Sequence, residues 1–200
     1  WDIGIQVGHS TRTLQECIEE GSKDLTVATS LMEARHLFGS MTKYQTLEKE
    51  ITDNELLWPN AQFLEGKKNE QISRHSQFNN TAYNLEPNIK SGPGGLRDIH
   101  SIFWVGKKIL GIQKLQELNE LGIISNQQLS MLINSRDFLF SIRYALHALT
   151  QRKEDRLLFD YQRTLAKQFN YHDEQYLLDV EKFMQDYYKS AKTISQLNEI

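Results

Sequence analysis

Residues 125–149 read SNQQLSMLINSRDFLFSIRYALHAL. Ser125 is a favoured helix-capping residue, and Leu132, Leu139, Ile142, Leu146 and Leu149 then fall on one stripe. That pattern predicts one long amphipathic helix. Toward the C-terminus, residues 160–169 predict another helix. Asp173 is placed to cap a last one, whose stripe is Leu177, Val180, Met184, Tyr187, Ala191 and Ile194. Two long helices with three–four spacing predict antiparallel packing. Toward the N-terminus, helices are expected over about 113–121, ended by Gly122, and from Leu96 to about Leu110. Others are expected from about Asp53 or Asn54 to Phe78 with Pro59 in the first turn, over Thr42–Ile51, and from Asp24 to Phe38, ended by Gly39. The first helix is expected from Thr13 to Glu20, capped by Ser10 and broken at Gly21-Ser22. With only three prolines, the chain reads as mainly α, an antiparallel helical bundle.

Residues 1–8 differ. Trp1, Ile3, Ile5 and Val7 alternate with Asp2, Gly4, Gln6 and Gly8, the period of a half-buried strand. No equal partner follows within a hundred residues, so the strand reads as the last of a sheet encoded upstream. The opening Trp1-Asp2-Ile3, without an initiator Met, fits a piece of a longer protein.

Of the 200 residues, 39% are hydrophobic and 24% charged, and the net charge is −3. A general nucleic-acid binder would carry a basic excess, so that class is disfavoured. No apolar run approaches the ~20 residues of a membrane span, and no signal peptide opens the chain. The single cysteine, Cys17, has no internal partner. It reads as a small apolar residue in a helix and favours a reducing, cytoplasmic setting.

The longest loop signal covers residues 79–95. Within it and just beyond stands Asn84-Leu85-Glu86-Pro87-Asn88-Ile89-Lys90-Ser91-Gly92-Pro93-Gly94-Gly95-Leu96-Arg97-Asp98-Ile99. Adjacent glycines permit a tight turn and close approach. They precede a helix N-terminus, where amides and the dipole favour anions, and Lys90 and Arg97 add positive charge. The spacing is neither Walker A nor GxGxxG. Two readings stand: an anion cradle, or a structural turn with Arg97 and Asp98 paired to neighbours.

This stretch resembles the Asn-Leu-Glu-Pro-Asn-x-Lys-x-x-Pro-Gly-Gly-Leu-Arg-Asp segment of the bacterial PII uridylyltransferase/uridylyl-removing family. Trp1 to Leu37 resembles the end of that family's nucleotidyltransferase domain. The residues around His147, Arg152, Glu154, Asp155, Arg156, Leu157 and Phe159, and the helix from Glu181 to Asn198, resemble its helical domain. The resemblance implies that residues 1–40 end a polymerase-β-type nucleotidyltransferase domain and 41–200 form the associated helical domain. It implies a parent enzyme that transfers UMP from UTP to a tyrosine of the PII nitrogen-signalling protein with Mg²⁺. The same enzyme would remove UMP by hydrolysis, under glutamine control. The related glutamine synthetase adenylyltransferase carries Glu where this chain has Asp98 and lacks the Asn-Leu-Glu-Pro lead-in.

The transferase would need an Asp-x-Asp pair for Mg²⁺, and none occurs in the sequence. The one His-Asp dipeptide, His172-Asp173, reads as a helix start rather than hydrolase ligands. The fragment is therefore expected to be inactive alone. By resemblance, Asp2 is the third metal-binding carboxylate, the alternative being an exposed strand aspartate. His9 and Arg12, just after the strand, are nucleotide-phosphate candidates beside Lys90, Gly94, Gly95 and Arg97; Arg35 is a further one. Capping or ion pairing is the plainer role for His9, Arg12 and Arg35. Arg143, His147, Asp155 and Arg156 read as a polar network locking two helices. A second class of function is open: a regulatory scaffold passing glutamine state between domains.

Overall fold

The computed structural model describes residues 8–53, 57–173 and 178–199. Of these, 65% are helical and none lies in a β-strand, so the protein is mainly α. The strand expected over residues 1–7, Asp2 within it, and Leu177 of the last stripe lie outside the described residues. The chain forms two compact units, 1–66 and 67–200. The division falls inside a helix, downstream of the boundary at 40/41 expected from the sequence.

In the first unit, α1 (Leu14–Lys23), α2 (Leu25–Met32) and α3 (Met41–Asp53) pack on one another. The cap of α1 is Thr13, not Ser10: its hydroxyl accepts the Glu16 amide while Glu16 accepts the Thr13 amide, a reciprocal capping box. Gly21 and Ser22 do not break α1. A Cβ at Gly21 would stand 3.1 Å from Leu31 and 3.2 Å from Leu57, so this glycine serves close packing. The Gly21 carbonyl also accepts the Trp58 indole N–H at 2.8 Å. Asp24 caps α2 through the amides of Thr26 and Val27. That helix stops at Met32 rather than Phe38, leaving Leu37 and Phe38 78% and 96% exposed. Without an apolar surface to cover, the last turn has nothing to hold it. Cys17 is half-buried in α1.

Helix α4 (Asn60–Ser76) spans the division between the units. The second unit then holds α5 (Leu96–Leu110), α6 (Glu117–Glu120), α7 (Asn126–Thr150), α8 (Phe159–Gln168) and α9 (Asp179–Leu197). Helix α6 is shorter than the expected 113–121. Ser125 caps α7 in a capping box with Gln128. Helix α7 packs mainly on α9, and α8 packs on both. Leu132, Leu139, Ile142 and Leu146 of the α7 stripe are buried, as are Met184, Tyr187, Ala191 and Ile194 of α9. Leu149, at the end of the stripe, is 40% exposed. Phe183 is fully buried and meets Phe138, Phe169 and Tyr171 in tilted or edge-on ring contacts. The cap of α9 sits at Leu178, not Asp173, yet the Asp173 carboxylate still accepts the Asp179 amide at 2.9 Å.

Candidate functional site

The loop over residues 84–98 joins α4, α5, α8 and α9 by its own polar groups. Asn84 donates its amide to the carbonyls of Phe78 and Thr81, and its carbonyl accepts the Tyr188 hydroxyl. The Leu85 carbonyl accepts the side-chain amide of buried Gln162 at 2.7 Å. The Glu86 carboxylate accepts the Phe159 amide, in the first turn of α8, and pairs with Arg156 at 3.1 Å. The Pro87 carbonyl accepts the Leu157 amide, and the Ile89 amide donates to Asp155. Asn88 turns the chain by accepting the amides of Lys90 and Ser91 on its own side chain.

The two glycines have a steric reason. Gly94 holds φ 72°, and a Cβ there would lie 2.1 Å from the Ala191 carbonyl of α9. A Cβ at Gly95 would lie 2.7–2.9 Å from the carbonyls of Ile89, Gly92 and Lys90. The loop thus docks backbone to backbone on α9, which any side chain would prevent. The amides that the sequence offers to an anion are occupied: Gly94 donates to Asp98, Gly95 to Gly92, Leu96 to Ile89, Arg97 to Lys90 and Asp98 to Gly95. An anion here would meet side chains, not a nest of free N–H groups.

Asp98 is the centre of this arrangement. It is fully buried, and its carboxylate accepts Arg74 Nη2 at 2.8 Å and the Gly94 amide at 2.7 Å. His75 Nε2 stands 3.0 and 3.1 Å from its two oxygens. Arg74 also donates to the Ser91 carbonyl. A charge so buried requires such partners, and the two side chains among them come from α4, more than twenty residues away.

Arg97, the next residue back, behaves differently. It is half-buried, and its guanidinium carbon lies 5.4 Å from the Trp104 ring centroid. Lys67, 3% exposed, stands over the same ring at 4.1 Å and pairs with Glu70 at 2.6 Å. Burial pushes the Lys67 ammonium below the ordinary lysine range. Glu70 opposes that shift, and the charges of Arg97 and Arg74 add to it.

A second charged cluster surrounds Asp155, which accepts Arg143 Nε at 2.6 Å and faces His147 Nε2 at 3.3 Å. Burial alone would raise this carboxyl, but Arg143, His147 and Lys90 together hold it below the usual aspartate range. The expected four-residue network is corrected in one member, since Arg156 pairs with Glu86 instead. The network ties α7 to the segment before α8.

The sequence candidates therefore divide. Gly94, Gly95, Lys90 and Arg97 stand together in the second unit, Lys90 near Asp155 and Arg97 on Trp104. His9, Arg12 and Arg35 are exposed residues of the first unit. Among the described residues no group of three or more His, Cys, Asp or Glu is arranged to hold a metal, and no helix is long and apolar enough to cross a membrane. Sequence reasoning did not reach Lys67, Arg74, His75 or Trp104. Trp104 stands seven residues after Arg97, two turns along one helix face, which is the one signal it offered.

The family model described as GlnD PII-uridylyltransferase matches residues 62–200. Proteins named bifunctional uridylyltransferase/uridylyl-removing enzyme match all 200 residues. The one from Pseudomonas aeruginosa (strain LESB58) is 46% identical, as is that from Nitrosococcus oceani, and that from Azotobacter vinelandii is 44% identical. The chain spans 22% of the length of these relatives. No solved structure matches.

Proposed function

The chain belongs to the PII-uridylyltransferase family, and on that premise we propose that it is the helical segment of an enzyme that transfers UMP from UTP to PII and removes it again. The observation that carries the reading is identity of 46% over all 200 residues. In this reading residues 1–40 end a polymerase-β-type nucleotidyltransferase domain and 41–200 form its associated antiparallel bundle. Asp2 would be one of the carboxylates holding Mg²⁺, which would neutralise charge on the triphosphate. His9, Arg12, Lys90 and Arg97 would face the nucleotide, with Gly94 and Gly95 setting the loop that presents them. Glutamine would decide between transfer and removal, in the cytoplasm.

Within this reading the residues of the loop do separable work. Asp98, Glu86 and Asn88 hold the fold. Arg97 has no carboxylate partner among the described residues and is, with Lys90, a loop cation left for substrate. Replacing Arg97 by Ala in the full-length enzyme is therefore expected to lower the rate of PII uridylylation tenfold or more, on the order of one lost charge-assisted hydrogen bond, while moving the melting temperature little. Unchanged transfer with a lowered melting temperature would make the loop purely structural. The 200 residues alone, given PII, UTP and Mg²⁺, are expected to produce no modified PII, since the sequence holds no Asp-x-Asp pair. The scaffold reading, in which the bundle only relays glutamine state, is favoured by no observation on these residues.

A further inference from the structure

Three cations stand close together where α4 meets the start of α5. Lys67 and Arg97 both lie on Trp104, and Arg74 contributes to the field at Lys67. Among the described residues two carboxylates face them, Glu70 on Lys67 and Asp98 on Arg74, the latter shared with His75. Counted over these described groups, the charge without a carboxylate is that of Arg97. Its guanidinium makes no hydrogen bond among the described residues, so its donor fork is unspent. A second observation points the same way: while Arg74 Nη1 and Nη2 donate to Ser91 and Asp98, its Nε is buried with no hydrogen-bond partner among the described residues. A buried donor left so costs free energy unless something supplies an acceptor. The ring of Trp104 offsets the cations only partly, because cation–π attraction leaves the N–H donors unsatisfied.

We infer that Lys67, Arg74 and Arg97, with Trp104 as their floor, form a binding site for a phosphoryl oxyanion. A guanidinium fork beside an ammonium matches a phosphate group in charge and in donor geometry. Trp104 is 3% exposed, so the site recognises the anion and not a base stacked on the indole. The phosphoryl group has two sources, free phosphate or the phosphates of a nucleotide; only the second rests on the function proposed above.

The test is equilibrium dialysis of the 200-residue chain against labelled inorganic phosphate and, separately, labelled UTP, with Trp emission followed in parallel. Saturable uptake is expected, accompanied by a change in emission that Trp104→Phe abolishes. Arg97→Gln is expected to weaken uptake about tenfold or more, while Arg97→Lys, which keeps the charge, recovers part of it. Arg136→Gln, the loss of a cation on α7 paired to Asp137, is expected to change nothing. Uptake of both ligands assigns the site to a free phosphoryl group, and uptake of UTP alone assigns it to a nucleotide. No uptake of either overturns the inference. So does an Arg97→Gln variant of unchanged melting temperature that binds as wild type does, an equal loss in Arg136→Gln, or succinate binding as tightly as phosphate. Saturable binding here with no PII uridylylation by the full-length enzyme would keep the site and remove the proposed function.

Discussion

Gly39 and Gly94 adopt the same kind of backbone, φ 96° and 72°, in loops that have little else in common. Around Gly39 a Cβ would meet nothing within 4 Å, and Leu37 and Phe38 beside it are open to solvent. Around Gly94 a Cβ would strike the backbone of α9 at 2.1 Å, and the flanking residues are buried. The first glycine is conformational and the second is also steric. A loop is fixed not by its turn residues but by what its polar groups and bare backbone find to touch.

The sharpest way to break this comparison is to remove what the second loop is built around. Asp98→Ala strands Arg74 and the Gly94 amide in the interior. It is expected to cost about 3–5 kcal/mol in urea denaturation, the range for breaking a buried pair. A loss under about 1 kcal/mol would mean that Asp98 is incidental. Gly94→Ala combines left-handed strain with overpacking and is expected to cost about 3 kcal/mol.

Asp155→Asn tests the neighbouring cluster and should cost about 1.5–3 kcal/mol at neutral pH, the range for a hydrogen bond to a charged group. Its sign with pH is fixed by the lowered Asp155 pKa. The contribution is fully present above the unfolded aspartate value, about 3.9, and drains as pH falls through the lower folded value. The gap between wild type and variant should therefore close in acid; a gap that widens there contradicts the assignment. Gly39→Ala keeps only the backbone strain and is expected to cost about 1 kcal/mol. Equal losses at Gly39 and Gly94, read from thermal melts of the two variants, would dissolve the contrast.

Which features the sequence disclosed follows the same division. The start of α5 at Leu96 and the Ser125 cap of α7 depend on residues within four positions, and both were legible. The stripes of α7 and α9 were legible because a core face repeats every turn. Gly21 was misread because a glycine that breaks a helix and one that lets two helices close are the same letter. The α2 end was misread because Leu37 and Phe38 continue the apolar pattern without a surface to meet. Asp98 was read as one of a pair with its neighbours, but its partners Arg74 and His75 belong to another helix, and no local spacing announces them. Arg97 was singled out as positive charge beside the glycines; its seat on Trp104 beside Lys67 needed the fold.

The hydrogen-bonded loop has a consequence in time. Most of its anchors lie downstream: Asp155, Leu157, Phe159, Gln162, Tyr188 and the Ala191 carbonyl. A ribosome adding ~5–20 residues per second would deliver Ala191 roughly 5–20 s after Gly94 has left the tunnel. Through that interval Ile89 and Leu96, both buried in the finished protein, lack the part of their common core that α9 supplies. The bundle closes late in synthesis, on a segment made early, and the nascent chain must keep that segment from other partners until α9 arrives.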